Sequence, residues 1–116
     1  MRLVSIASGS SGNCVYVGTD TTSILVDAGI SRKRIELGLE EIGIRGSELD
    51  AVVITHEHSD HIRGLGVLSR KYKIPVYATK ETLEEISRIP SLGHFPEGLF
   101  HEIRPDVDFT VGDMEM

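Results

Sequence analysis

Three of the chain's five histidines fall within ten residues, in THEHSDHIRG (residues 55–64). Imidazole and carboxylate side chains together suit zinc, manganese or iron, whereas calcium and magnesium favour all-oxygen sites. A polar loop that carries such residues by chance is the alternative, and five potential metal-ligating residues in six positions argue against it. Within this stretch, HEHSDH (residues 56–61) is called the histidine segment below. Its imidazole and carboxylate residues are His56, Glu57, His58, Asp60 and His61.

The spacing within the histidine segment divides the candidate ligands into two pairs. Side chains at i and i+2 lie on the same side of an extended chain, so His56 and His58 converge. Asp60 and His61 follow where the chain turns into a helix, and can approach from another direction. A zinc-like site needs about four ligands, and a two-metal hydrolytic site needs more. The segment therefore supplies two ligands to each of two metals, and on spacing alone the site is unfinished.

Other arrangements of these residues are less favourable. A helical metalloprotease motif is excluded, because the residue four after His56 is Asp60 and not histidine. His94 and His101 lie in an irregular stretch, and nothing in their spacing marks them as ligands. Glu57 points away from its flanking histidines in an extended segment, so we expect it to be structural rather than catalytic.

The elements around the histidine segment predict an α/β fold. The short apolar run Ala51–Ile54 directly precedes the segment and is typical of a strand buried on both faces. Ligand sites of α/β sheets usually lie at the carboxyl ends of such strands. The βββαβαβα order predicts a layered arrangement that begins with an antiparallel hairpin or meander and loosens after Pro90. Strands are predicted near residues 3–6, 14–17, 23–27, 51–54, 75–78, 106–111 and 114–116, and helices near 32–42, 62–72 and 79–88.

Helix ends and buried helix faces can also be predicted. Ser31 and Thr79 are suited to cap the first and third helices. In the first helix, apolar residues at i, i+4 and i+7 form one face toward the sheet. The residues predicted to pack inward are Ile35, Leu39, Ile42, Leu65 and Leu68.

The composition predicts a globular, cytoplasmic protein. The 116 residues are 40% hydrophobic and 26% charged, and no apolar run approaches the length of a membrane span. The N-terminus lacks the apolar region of a signal peptide. The one cysteine, Cys14, excludes an internal disulfide. Its neighbours Val15 and Val17 indicate a buried packing residue rather than a nucleophile.

The charge is unevenly distributed along the chain. The net charge of −6 argues mildly against a nucleic-acid partner, but residues 1–80 are balanced, with ten Lys/Arg and nine Asp/Glu, whereas residues 81–116 carry two and nine. Bound divalent cations would add positive charge that this count omits. Solvated helix faces are the ordinary interpretation of the basic residues near the histidine segment. These residues are Arg32, Lys33, Arg34, Arg63, Arg70, Lys71, Lys73 and Lys80.

The small-residue run SGSSGN (residues 8–13) is a second candidate site. The backbone amides of Ser10, Ser11 and Gly12 could form a small anion nest, with Asn13 adding a side-chain donor. A plain tight turn between two strands is the alternative.

Several motifs together resemble a known family. HEHSDH matches the HxHxDH signature of the metallo-β-lactamase superfamily, and ILVDAG (residues 24–29) looks like that superfamily's upstream aspartate motif. ASGSSGNC, LVDAGIS, VVITHEHSDHIRGLGVLSRKYKIPVYAT and VGDMEM resemble the YycJ/WalJ-like group of single-domain metallo-hydrolases, which is associated with DNA exonuclease activity. The resemblance covers nearly the whole chain, apart from about residues 87–101.

The resemblance implies roles for individual residues. His56 and His58 would bind one divalent ion, zinc or manganese, and Asp60 and His61 a second. Asp27 would accept hydrogen bonds that orient the metal loop. The implied activity is that of a metal-dependent phosphodiesterase, a 5′–3′ DNA exonuclease in which a hydroxide bridging the metals attacks phosphorus and Asp60 helps to orient it. Substrate phosphates would contact Ser11, Gly12 and Asn13.

The resemblance also implies the N-terminal half of a four-layer αβ/βα sandwich, with residues 1–116 forming part of one domain. Family members continue to a further histidine, a bridging aspartate and a final histidine, so we expect a truncated chain. Two other functions stay open. A thioester or lactam hydrolase would use the same metal pair, and an inactive half-domain would bind metal weakly or join a partner. DNA or another phosphodiester is the expected substrate, without a membrane partner.

Overall fold

The structure is a computed structural model that describes residues 1–9, 12–55, 62–93, 95, 98–104 and 107–115.

Three antiparallel strands open the chain, as predicted. β1 (Arg2–Ala7), β2 (Cys14–Gly18) and β3 (Ser23–Val26) pair in chain order, with a register shift between Ser5 and Ala7. Buried and half-buried residues alternate along β2, the period of a strand with one face on a core. β3 is also the first strand of the parallel part of the sheet.

Parallel strands continue the same sheet. β4 (Ala51–Val53) pairs with β3, β5 (Val76–Thr79) with β4, and β6 (Phe100–Ile103) with β5, so the described strands follow the order β1 to β6 across the sheet. All three residues of β4 are buried, which confirms a strand covered on both faces. Because β3, β4 and β5 are parallel, their carboxyl ends lie at one edge of the sheet.

Helices connect the parallel strands. α1 (Arg32–Glu41), α2 (Leu65–Tyr72) and α3 (Lys80–Ser87) are accompanied by short 3₁₀ turns at Gly46–Glu48 and Pro90–Leu92. The predicted caps are confirmed. The Ser31 hydroxyl accepts a hydrogen bond from the Arg34 amide, and the Thr79 hydroxyl accepts one from the Thr82 amide, at 3.3 Å each.

The sheet is covered differently on its two faces. On the helix face, Ile35, Leu39, Leu65 and Leu68 are fully buried, as predicted, whereas Ile42 is half-buried. On the other face, β7 (Thr110–Val111) and β8 (Met114–Glu115) form a hairpin, and their Val111 and Met114 side chains join a second core cluster with Ile24, Ala51 and Val53. The layers of the described residues are thus the helices, the mixed sheet and the β7–β8 hairpin.

Three predicted boundaries were wrong. β6 lies in a stretch that was predicted to be irregular. The strand could not be predicted because its two central residues are exposed, so the sequence lacks strand-like alternation there. The helix predicted at 62–72 is interrupted: Ile62 is helical, Arg63 and Gly64 form a turn in which the Gly64 amide donates to the carbonyl of Ala28, and α2 begins at Leu65. The strand predicted at 106–111 is limited to β7. None of the helices in the described ranges is long and apolar enough to cross a membrane.

Candidate functional site

The predicted ligands His56, His58, Asp60 and His61, together with Glu57, Ser10, Ser11 and His94, lie outside the described residues. The residues on both sides of the histidine segment are described. Thr55 lies two residues after Val53, the buried carboxyl end of β4, and the amide of the intervening Ile54 donates to the carbonyl of Tyr77 at 2.9 Å. The segment therefore starts at the edge where the parallel strands end. The described residues alone contain no group of three or more potential metal ligands.

Asp27 fixes the residue that precedes the histidine segment. Its carboxylate accepts one hydrogen bond from the Thr55 amide at 2.8 Å and another from the Thr55 hydroxyl at 2.7 Å. The Asp27 amide donates to the carbonyl of Val53 at 2.8 Å, so the backbone is held as well. Asp27 is only 5% exposed, and its positive φ of 65° is one that few residues other than glycine and Asx adopt readily. Asp27 is therefore a buried residue that holds Thr55, directly before the histidine segment, through both its side chain and its backbone neighbourhood.

The turn after β3 also fixes the residues that follow the segment. The Gly64 amide donates to the carbonyl of Ala28 at 2.8 Å. A Cβ at Gly64 would lie 2.1 Å from the carbonyl oxygen of Ile30, so only glycine allows this approach. Residues 27–30 thus contact the chain on both sides of the histidine segment. Asp27 could be predicted from the sequence, but Thr55, Ala28 and Gly64 could not, because their contacts rest mainly on backbone bonds.

The run at residues 8–13 is built around Asn13. Its side-chain oxygen accepts from the Gly9 amide and its side-chain nitrogen donates to the Gly9 carbonyl, both at 3.2 Å. The Gly12 amide also donates to the Gly9 carbonyl. Gly9 and Gly12 both have positive φ values, of 111° and 140°. The described part of this run is therefore an Asn-stabilised turn.

This turn contacts the segment that holds the histidine segment. The carbonyl of Asn13 accepts from the Gly29 amide at 2.8 Å. A Cβ at Gly12 would lie 2.6 Å from the carbonyl oxygen of Gly29 and equally close to the Ile30 side chain. The predicted substrate contacts Gly12 and Asn13 are thus placed beside residues 27–30.

Two further residues considered in the sequence, Cys14 and His101, pack against other parts of the fold. Cys14 is fully buried, as predicted, and burial, followed by the negative charge of Asp27, raises the pKa of its thiol to about 12. The thiol is therefore protonated at neutral pH and is no nucleophile there. The ring of His101, on β6, stacks on Tyr77 with a centroid distance of 4.8 Å.

The amino-acid sequence matches a family model and two characterised relatives over nearly its whole length. The family model of the metallo-beta-lactamase superfamily matches residues 7–115. The chain is 43% identical over 111 residues to the exodeoxyribonuclease WalJ of Streptococcus pneumoniae serotype 2, covering 96% of this chain and 41% of the relative. It is 46% identical over 110 residues to the exodeoxyribonuclease YycJ of Bacillus anthracis, covering 95% and 39%. The chain thus spans about two fifths of the length of these relatives.

Solved structures share the fold at low sequence identity. Rm3 metallo-beta-lactamase superposes with a TM-score of 0.78 at 22% identity, over 97% of this chain and 46% of that one. A subclass B3 metallo-beta-lactamase from a soil metagenome library, MEM-A1, gives 0.75 at 20% identity, over 97% and 47%. The mixed sheet and its helices therefore have a metallo-β-lactamase fold. The chain belongs to the metallo-β-lactamase superfamily.

Proposed function

We propose that this chain carries the metal-binding loop of a hydrolase that cleaves phosphodiester bonds at DNA ends as a 5′–3′ exodeoxyribonuclease. The observation that carries the proposal is that residues 27–30 contact the chain on both sides of the histidine segment, through Asp27–Thr55 and Ala28–Gly64. Fixing both ends of a short segment limits the positions of its side chains, as a preorganised metal site requires.

The donor chemistry of the histidine segment fits divalent zinc or manganese. His56 and His58 would hold one ion, and Asp60 and His61 a second. Two such ions would supply Lewis acidity toward phosphoryl oxygens and an activated water at neutral pH. Asp60 would in addition orient the attacking water. Asp27 would act through Thr55, as a positioning residue that does not touch the substrate.

The turn at residues 8–13 is the proposed contact for substrate phosphate. Ser11, Gly12 and Asn13 precede the buried Cys14, and the Asn13 carbonyl accepts from Gly29, so this turn is next to the segment that holds Thr55. Backbone amides and an Asn side chain are donor types that bind phosphate oxygens. The Gly12 amide and the Asn13 side-chain nitrogen donate to the Gly9 carbonyl, so a bound phosphate oxygen would compete with that carbonyl for these donors. The names of the relatives WalJ and YycJ, both exodeoxyribonucleases, support DNA as the substrate.

The proposal is tested on the full-length protein loaded with zinc or with manganese. Single- and double-stranded DNA labelled at the 5′ or the 3′ end is assayed beside a thioester and a β-lactam, because HxHxDH alone does not distinguish these chemistries. We expect mononucleotide release that starts from 5′ ends. Hydrolysis of the thioester or the lactam without DNA cleavage would overturn the proposal.

Matched histidine substitutions identify the metal site. His58→Ala should remove a metal ligand and lower activity by more than the roughly 100-fold that loss of an outer-shell partner costs. His101→Ala is the control, because this exposed histidine stacks on Tyr77 and is not a proposed ligand. Metal content and mass of the 116-residue chain test the inactive half-domain directly. Stoichiometric binding of two ions by a monomer would exclude that alternative.

A further inference from the structure

The charges of α1 are arranged against the usual preference of a helix. Its first turn carries Arg32, Lys33 and Arg34, whereas acidic residues lie toward its carboxyl end, at Glu40 and Glu41. The helix macrodipole favours the opposite order, with acidic residues first and basic residues last. Each reversed charge costs a few tenths of a kcal/mol or more. Such a violation of a local rule is expected where a site needs it.

The basic end of α1 lies at the same sheet edge as Thr55, the residue before the histidine segment. α1 starts after β3, so its first turn is at the edge where the parallel strands end. A Cβ at Gly64 would lie 3.2 Å from the Arg32 amide nitrogen, which places the residue before it, Arg63, beside this turn. Arg63 is exposed and comes two residues after the histidine segment. Basic residues from two separate parts of the chain therefore lie at this edge of the sheet.

Some of these cations are neutralised and others are not. Glu36 forms ion pairs with Arg32 and, at 2.8 Å, with Lys71. Lys33, Arg34 and Arg63 are all exposed, and no carboxylate of the described residues lies within ion-pair distance of them. These three residues are called the basic strip below. Their charge is available to a ligand.

We propose that the basic strip binds the phosphate backbone of the DNA strand and leads its end to the histidine segment. This inference rests on the proposed function and names the surface by which the substrate is bound. Lys and Arg contacts to phosphates give affinity and register without reading sequence. The strip contains no aromatic residue, so the expected binding is independent of base identity.

The test removes two charges of the strip from the full-length, metal-loaded protein. The strip variant is the double substitution Lys33→Gln/Arg34→Gln. The control variant is Arg45→Gln/Lys73→Gln, which removes the same charge from exposed residues at the opposite edge of the sheet. Arg45 follows α1, and Lys73 lies at the end of α2. Binding of a single-stranded oligonucleotide with phosphorothioate linkages is measured from 50 to 300 mM salt by fluorescence anisotropy. Steady-state kcat and KM are measured on the unmodified strand.

Two lost phosphate contacts should change the salt dependence by a defined amount. Each contact to a single strand contributes about 0.7 to the slope of log K against log salt, so the slope should fall by about 1.4 in the strip variant. At 0.1 M salt this corresponds to a Kd about 25-fold higher. KM should rise while kcat is unchanged, because the strip does not touch the reacting atoms. Arg63→Gln, checked for full metal content, should lower the slope by about 0.7.

The outcomes separate the two proposals. A strip variant that keeps the slope and KM of the control variant would overturn the basic strip while wild-type DNA cleavage stays intact. Weakened binding of RNA with unchanged binding of DNA would also overturn it. Absence of DNA cleavage in the wild-type protein would instead overturn the proposed function.

Discussion

The carboxylate of Asp27 accepts hydrogen bonds from both the amide and the hydroxyl of Thr55, at 2.8 and 2.7 Å, although the two residues are 28 positions apart in the sequence. Asp27 is the first residue after β3, and Thr55 is the last described residue before the histidine segment. The contact therefore joins the carboxyl ends of two neighbouring parallel strands. Together with the bond from Gly64 to Ala28, it holds the described residues on both sides of the histidine segment.

Replacing Asp27 should weaken metal binding and stability together. Asp27→Ala removes both acceptors of Thr55 and leaves alanine at a φ of 65°. We expect metal affinity to fall about 10- to 100-fold, as for other residues that orient ligands. The free energy of unfolding should fall by about 2–4 kcal/mol, from an unpaired donor and a strained backbone. Chelator competition and denaturant unfolding measure the two effects.

Two further variants at this position separate the causes. Asp27→Gly adopts the positive φ without strain, so it isolates the loss of the acceptors. Asp27→Asn keeps one acceptor and tolerates the left-handed backbone, and should lie between wild type and alanine. Metal affinity unchanged in Asp27→Ala would contradict the positioning role of this residue.

Local patterns in the sequence were sufficient for much of the fold. The caps at Ser31 and Thr79, and the buried run of β4, each depend on a few adjacent residues, and all are confirmed. β6 was missed because Phe100–Ile103 is an edge strand whose central residues face solvent. Its position depends on pairing with β5, which no local pattern records.

The candidate site, like the fold, has some features that local sequence predicts and others that depend on tertiary contacts. The ligand roles of the histidine segment follow from spacing within six residues and stay predictions. Asp27 was found through the resemblance, and its contact with Thr55 is a tertiary fact that spacing does not contain. The approach of Gly64 to Ile30 is likewise invisible in the sequence, where this glycine resembles any helix-breaking residue.

Two glycines of the turn at residues 8–13 should differ in their tolerance of a side chain. Both have a positive φ beyond the left-handed helical region, so alanine at either costs about 1–3 kcal/mol. A Cβ at Gly12 would in addition lie 2.6 Å from Gly29 and Ile30 atoms, whereas one at Gly9 meets nothing within 4 Å. Gly12→Ala should therefore cost about 1–3 kcal/mol more than Gly9→Ala in denaturant unfolding. Equal costs would show that Gly12 does not pack against residues 29–30.

Burial of Cys14 should appear in both reactivity and alkaline stability. With its pKa raised to about 12, the thiol should not react with a disulfide reagent at pH 8 until the chain is unfolded. The unfolded thiol ionises near its ordinary value of 9.0, so the unfolded state releases a proton that the folded state keeps. Stability should fall between pH 9 and 12 by up to about 1.4 kcal/mol per pH unit. Cys14→Ala should lack this component, and rapid labelling of the folded protein would contradict it.

Glu36 should make stability depend on pH in the acid range, because it joins α1 to α2. Hydrogen bonds from Lys71, at 2.8 Å, and then from Tyr72 hold the pKa of its carboxyl below the ordinary 4.5. A depressed folded-state pKa stabilises the protein above the unfolded value, and this contribution is lost as the pH falls through the folded pKa. The Tm difference between wild type and Glu36→Gln should therefore be full at pH 6–7 and shrink below about pH 4.5. Glu40→Gln, one turn along α1 and without a described ion pair, is the control and should show a smaller difference. A Glu36→Gln difference that persists undiminished at pH 3 would mean that packing, and not the charged network, joins the two helices.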